Sequence, residues 1–571
     1  MSVIESRTAK SVKNAKVALF FYFINLVLQF FSRKIFLEYL GAEVLGLNTT
    51  VQNLLGFLNL AELGIGGAVA YNLYKPLFEK NKQAINEIVS VQGWLYRQVA
   101  YVVIIGACIL MCFFPLIFAK AQVPLWYTYG SFIVLLVGAL LSYFVNYRQI
   151  VLTADQKEYK ITLNVQGFKI LKVVLQILAI CSLDNGYVYW MVLELLFSVT
   201  AAIVLDKVLK REYPWLNSSP VQGKELRAKY PEIITKTQQM FFHKIAGFVL
   251  TQTSPLIIYA YASLTLVAVY GNYMLMVTGV TLLMNALLNS VSAGIGNLVA
   301  EGDKERIKSV FWELTSLRVW LASIICFGIY KLGHSFIALW VGQEYVLNQS
   351  AFIILIVIAF IGLTRTNDTF LAAYGLFQDV WAPITEAVLN LGLSILLGYF
   401  WGLTGILVGV TISLLLIVYG WKPYFLYRCG FKEKVWEYIL RYTKYFILLA
   451  ASFIIVSFLV DRFLAEVVVS YWQWAVYAGK ILVLYIIISV LLFAYADSGA
   501  RAYLKRFYFL LQKDVSVIPV EVKAEENLQS KSLRFFVEKN AGLHGVRFSM
   551  SDYRKQEWMI NYPLYSVGYI L

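Results

Sequence analysis

The sequence predicts an all-α polytopic membrane protein of about fourteen spanning helices, and three observations carry that prediction. Hydrophobic residues make up 60% of the 571 residues and charged residues only 15%, against about 45–50% and about 25% in soluble domains. Windows of about 20 apolar residues, long enough for a hydrocarbon core about 30 Å thick, recur along the chain. Short words from the first half return in order in the second. A soluble fold could not cover so much apolar surface with so few charges.

The expected spans lie near 15–38, 44–74, 91–118, 125–153, 161–181 and 187–206, then 238–262, 265–299, 310–330, 351–374, 382–400 and 404–426, with a last pair near 441–460 and 474–496. The corresponding division is an N-terminal six-helix bundle (1–206), a cytoplasmic linker (207–236), a C-terminal six-helix bundle (237–430), an extra pair of spans (431–496) and a cytoplasmic tail (497–571). A second apolar span follows the first closely and no small-residue cleavage site is evident, so the N-terminal stretch reads as a span and not as a cleaved signal. About 24 Lys and Arg residues fall on one side of this topology and about five on the other, which places both termini in the cytoplasm. The net charge of +15 is therefore mostly loop charge, and nucleic acid is not an expected partner. In the tail, Arg501-Ala-Tyr-Leu-Lys-Arg-Phe-Tyr-Phe-Leu-Leu-Gln-Lys513 suits an interfacial helix, and 514–571 carries no legible pattern.

The repeat rests on three words. Leu63-Gly-Ile-Gly66 is echoed by Ala293-Gly-Ile-Gly296, the turn Phe78 to Ile85 by Ala300 to Ile307, and Gln149-Ile-Val-Leu-Thr-Ala154 by Asp368-Thr-Phe-Leu-Ala-Ala373, at offsets between 219 and 230. Partners keep the same membrane orientation. That implies two parallel bundles related by an axis along the membrane normal.

Ionisable side chains inside a span are costly and normally face a partner or a water-filled cavity. Those within or at the ends of the spans are Arg33, Lys34, Arg97, Arg148, Lys169, Lys172, Lys244, Arg318 and Arg365, against Glu38, Glu62, Glu194, Asp368 and Glu386. Pairing cannot neutralise every cation, and an uncompensated positive cavity would welcome an anion such as phosphate or pyrophosphate. At 100° per residue, Asn48, Gln52, Asn59 and Glu62 share one face of the second span, and Gln166, Lys169, Lys172 and Gln176 one face of the fifth. Gln239, His243, Thr251 and Ser254 cluster on the seventh, beside Lys244, and Asn285, Asn289 and Ser292 on the eighth. These stripes predict a hydrophilic cleft between the bundles, with Lys169 and Lys172, midway along their helix, as its centre. Arg33, Lys34 and Arg148 lie near span ends, where snorkelling to headgroups is the competing reading. Arg365 and Asp368, three apart, are expected to form an internal ion pair. The chain has no phosphate-binding glycine loop, no metal-ligand spacing and no carboxylate cluster in an outward loop, so it is expected to need no cofactor and not to be an enzyme.

The stretch Phe31-Ser-Arg-Lys-Ile-Phe-Leu-Glu-Tyr-Leu-Gly-Ala-Glu-Val-Leu-Gly-Leu-Asn48, with Leu60-Ala-Glu-Leu-Gly-Ile-Gly66, resembles bacterial polysaccharide flippases. These are the Wzx-type exporters of lipid-linked oligosaccharides in the multidrug/oligosaccharidyl-lipid/polysaccharide exporter superfamily. Arg33, Leu40-Gly-Ala-Glu-Val-Leu-Gly46 and Glu62-Leu-Gly-Ile65 carry the likeness, and Ala338-Leu-Trp-Val-Gly-Gln-Glu-Tyr345 extends it, over roughly 10–495. The resemblance implies a bacterial inner-membrane protein whose bundles alternate between inward- and outward-open states. It implies a cationic cavity for a sugar-pyrophosphate head, a polyprenyl tail left in lipid, proton or sodium coupling, and other polysaccharide assembly proteins as partners. A multidrug or small-molecule antiporter of the same fold is the alternative, although cationic drugs would call for in-membrane carboxylates and the first span has none before Glu38. A glycan polymerase or ligase would be expected to carry a large outward loop with catalytic groups, and none is present.

Overall fold

The computed structural model describes residues 7–62, 64–376, 378–379, 381–464, 466, 468–497, 499–501, 520–522, 531–539 and 544–563; the side chains of 7–12 and of most of 239–251 and 285–297 lie outside that set. The chain divides into two compact units, Met1–Gly499 and Ala500–Leu571.

The first unit is helical. Its long elements are α1 (Arg7–Leu58), α2 (Ile65–Phe78), α3 (Lys82–Cys112), α4 (Leu125–Phe144), α5 (Glu158–Ser182), α6 (Gly186–Glu212), α7 (Pro231–Tyr261), α8 (Leu264–Glu301), α9 (Lys304–Trp340), α10 (Gln349–Leu363), α11 (Thr366–Ala373), α12 (Trp381–Leu414), α13 (Trp436–Leu459) and α14 (Tyr471–Ala496). Side-chain caps start many of them: Asn81, Ser263, Asp303, Asn348 and Ser470 each accept a hydrogen bond from a backbone N–H three residues on.

Eleven helices among the described residues are long and apolar enough to cross a membrane, where the sequence predicts fourteen spans. The difference has a local cause. α1 holds the first two expected spans, joined at Gly41 with φ 81° and ψ 167°, a conformation that glycine adopts without a Cβ penalty. α12 joins two more at Gly402. α7 covers the seventh, and much of its apolar middle lies outside the described side chains.

One pair of helix ends falls at an offset of the repeat. α4 stops at Val145 and α10 at Thr364, at the same offset, 219, as Gln149 and Asp368. The halves differ in their second helix. The first half breaks at Asn59–Glu62 and Gly64 (φ 98°) before α2 begins, while α8 runs unbroken from Leu264 to Glu301.

Within the first half α1 packs on α4 and α5, and α5 on α6; in the second, α7 and α10 pack on α12 and α8 on α9. The halves meet where α1 lies against α7 and α8 and α2 against α7. The pair α13 and α14 docks on α9 through Phe327, Leu332, Val456, Ile481 and Tyr485. Close van der Waals fit must hold such seams, because lipid is as apolar as the side chains themselves.

At the end where α1 begins, residues 213–230 are strapped to the first half. Asn86 bonds the backbone of Trp215 and Asn217, Ser90 that of Ser219, and Glu87 accepts from Lys229 and Tyr230, both at 2.6 Å. Beside it Lys157 bridges Asp155 and Glu212 at 2.7 and 2.8 Å. Burial pulls the Lys157 pKa down, yet its hydrogen bonds to those two carboxylates win and leave it raised.

Among the described residues the second unit holds a four-stranded sheet ordered β1-β2-β4-β3 and the helix α15 (Lys531–Lys539). β1 (Val520–Val522), β2 (Gly545–Ser549) and β4 (Met559–Pro563) run parallel, and β3 (Arg554–Lys555) pairs antiparallel with β4. Leu533 and Val537 of α15 pack on Met559 and Trp558. The sequence reading assigned no structure to this part of the tail. The basic-aromatic stretch 501–513, expected as an interfacial helix, lies outside the described residues beyond Arg501.

Candidate functional site

The polar stripe of α5 faces α1. Lys169, Lys172 and Gln176, with Glu194 from α6 and Asn25, Gln29, Arg33, Asn48 and Gln52 from the two arms of α1, line a cavity of about 380 Å³. The second half contributes Leu275. Among the described residues, three cations here face one carboxylate. Lys172 Nζ lies 2.6 Å from Glu194 Oε1, and Gln176 donates to Glu194 Oε2 at 3.0 Å and to the Trp190 carbonyl at 3.1 Å. Lys169 has no ion-pair partner among the described residues. Asn48, 7% exposed, has a buried carbonyl oxygen without a hydrogen-bond partner among the described residues.

Arg33 closes the cavity from above. Its Nε donates to Asn272 Oδ1 and its Nη2 to the Ala268 carbonyl at 2.9 Å, so the guanidinium reaches from α1 to α8. Over it lies an apolar plug in which Phe36, Leu45 and Trp190 of the lining pack with Leu37, Val44, Tyr187 and, from the second half, Ala268. Thr265 bonds Glu43 at 3.1 Å across the same seam. A Cβ added at Gly46 would stand 1.9 Å from the Leu264 carbonyl oxygen, so the two backbones touch there. The site is therefore shut toward the Gly41 turn.

Away from that turn it continues into a second cavity of about 860 Å³, whose lining shares Asn25, Gln29, Lys169 and Leu275 with the first. Gln166 belongs to this lower chamber, where it accepts a hydrogen bond from Asn25 at 3.1 Å. Lys169 thus sits at the junction. A third cavity, about 420 Å³ and lined only by apolar residues of α1, α8, α9 and α14, shares Leu26 and Gly279 with the lower chamber.

The remaining sequence candidates stand elsewhere. Asn59 and Glu62 share the helix face of Asn48, but the helix breaks between them and their side chains accept from Tyr143 and Tyr96, at 3.0 and 3.1 Å, inside the first half. Arg148 binds the Tyr147 hydroxyl and the Ser218 carbonyl and so fastens the strap. Arg318, Arg365 and Asp368 lie in the second half. Arg365 pairs with Asp368 at 2.7 Å, as their spacing predicts, and approaches Glu386 at 3.9 Å; Lys422 meets Asp368 at 2.6 Å, and Arg318 donates to Thr369. The side chains of His243, Lys244, Asn285 and Asn289 lie outside the described residues, as do those of Gln239 and Ser292.

Asn25 and Gln29 escaped the sequence reading. The signal was their spacing with Arg33, i, i+4 and i+8, on an otherwise apolar arm. Among the described residues no group of three His, Cys, Asp or Glu side chains could hold a metal ion.

No protein-family model matches the sequence. No curated protein matches it either. Solved structures of other proteins are similar in fold, two of them over most of their own length. The lipid II flippase MurJ in an inward closed conformation gives a TM-score of 0.59 at 11% identity, over 84% of this chain and 99% of that one. A multidrug resistance MATE transporter of the MOP superfamily, inward-facing, gives 0.53 at 13% identity, over 73% and 98%. At these identities the likeness is one of fold: the chain is a polytopic membrane protein whose all-α first unit resembles these two structures in fold. One of these neighbours is named for flipping a lipid and the other for transporting drugs; neither is an enzyme.

Proposed function

We propose that this chain flips a polyprenyl-pyrophosphate-linked oligosaccharide across the bacterial inner membrane, by alternating access, for surface polysaccharide synthesis. One observation carries the reading: a cavity with an excess of cations opens, through a shared chamber, onto an apolar groove. That is the shape of an amphipathic anion, its phosphates on Lys169, Lys172 and Arg33 and its hydrocarbon against Leu26, Phe30 and Gly279. In a site shielded from bulk water, charge-assisted bonds to phosphate are stronger than neutral ones. The charge bias of the loops puts both termini in the cytoplasm, so the Gly41 seam faces outward and the head group enters from within.

An antiporter of cationic drugs is the second reading. The cavity chemistry disfavours it, since the one carboxylate among the described lining residues is already paired with Lys172. Proton or sodium coupling belongs to the proposal, as does contact with other polysaccharide assembly proteins.

Replacing Lys169 and Lys172 together by alanine is expected to cut export of the lipid-linked glycan at least about tenfold, as loss of one contact worth about 1.5–3 kcal/mol would. Export is read as surface glycan in cells carrying matched amounts of each protein. Full export by the double variant would refute the site.

A further inference from the structure

We propose that Glu194 is a resident counter-ion that holds Lys172 while the cavity is empty and releases it to a phosphoryl oxygen of the ligand. The inference rests on the anionic-lipid reading above and adds a residue to it. Its basis is how the carboxylate is held. Glu194 is 9% exposed and lies at the wall of the cavity. Its two oxygens have different partners: Oε1 meets Lys172 at 2.6 Å, and Oε2 takes the Gln176 amide at 3.0 Å. Gln176 is itself fixed to the Trp190 carbonyl.

Lys172 can therefore leave without stripping the carboxylate of every bond. An ammonium on a flexible four-carbon stem is the side chain suited to such a swing. Lys169 stands one turn away on the same face of α5 and lines the same cavity. A ligand with one phosphate can be met by Lys169 alone. A diphosphate gains more by drawing Lys172 as well, and must then out-compete Glu194. The carboxylate thus neutralises Lys172 in the empty cavity and sets a threshold that an anion must exceed to draw it away.

The test is binding of farnesyl diphosphate to the full-length protein in lipid nanodiscs, with farnesyl monophosphate as comparison and a thermal melt of each variant as a folding control. Glu194→Gln keeps the shape and the bond from Gln176 but frees Lys172. It is expected to tighten farnesyl diphosphate about tenfold, the scale of one charge-assisted contact, and to tighten the monophosphate less. Lys172→Gln is expected to weaken the diphosphate and to abolish that effect in the double variant. If wild type binds the diphosphate and Lys169→Ala weakens it, while Glu194→Gln leaves it unchanged or weaker, Glu194 is only a strut and the inference falls with the flippase reading intact. If neither wild type nor Glu194→Gln binds farnesyl diphosphate, both fall.

Discussion

Gly46→Ala is expected to abolish transport while leaving the chain folded. Alanine is the better helix former by about 1 kcal/mol, so the arm of α1 that carries residue 46 would itself gain. The loss must come from the seam. The added Cβ would stand 1.9 Å from the Leu264 carbonyl oxygen and 2.5 Å from its carbon, and backbone atoms have no rotamer by which to move aside. The halves would have to part at the Gly41 end, pulling Arg33 off Asn272 and Ala268 and opening the apolar plug. Overpacking costs about 1–3 kcal/mol, enough to move a two-state population by about tenfold to a hundredfold. A cysteine placed at Asn48 reports this: a membrane-impermeant thiol reagent added outside should label it faster in the Gly46→Ala background. Unchanged labelling together with normal export would show that the seam does not gate.

The second large effect is on stability. Arg365→Leu is expected to lower the unfolding free energy by about 3–5 kcal/mol, the usual cost of removing one partner from a buried charge group. Arg365 sits between two carboxylates, Asp368 at 2.7 Å and Glu386 at 3.9 Å, and Glu386 is 3% exposed. Lys422 would still serve Asp368, but Glu386 would be left without its cation. A thermal melt in detergent should show a clear fall in Tm. Adding Glu386→Leu to Arg365→Leu should recover much of it, because a buried pair replaced whole by apolar groups is often neutral. A single variant as stable as wild type would show the cluster to be ornamental.

The residues that composition and helical period could find were those whose burial in a membrane is expensive. Lys169 and Lys172 announced themselves by sitting mid-helix, and Asn48 and Gln52 by sharing a face. What period cannot give is the partner. Lys172 meets Glu194 across a hairpin, Arg33 meets Asn272 in the other half, and Arg148 finds Ser218 in the linker. Each is a tertiary contact between segments that look alike in hydropathy. Asn59 and Glu62 kept the period of Asn48 but not its surroundings, because the helix breaks between them and turns their side chains to Tyr143 and Tyr96. Asn25 and Gln29, as neutral amides on an apolar arm, gave a signal too weak to separate from ordinary interhelical hydrogen bonding. The short strands of the tail, two to five residues each, were below what an alternating pattern can reveal.

In the proposed transport cycle, the strap of residues 213–230 bears on the entropy of the exchange. A loose tether between two moving bodies gains and loses conformational freedom as its ends separate, at a cost that varies with the span. Here Asn86, Ser90 and Glu87 hold the strap against α3, so its slack is already spent. The strap ends at the Tyr230–Pro231 junction, where α7 of the second half begins. The free-energy difference between the two proposed access states then owes little to slack in this strap. It is set by what the facing surfaces exchange and by what occupies the cavity between them.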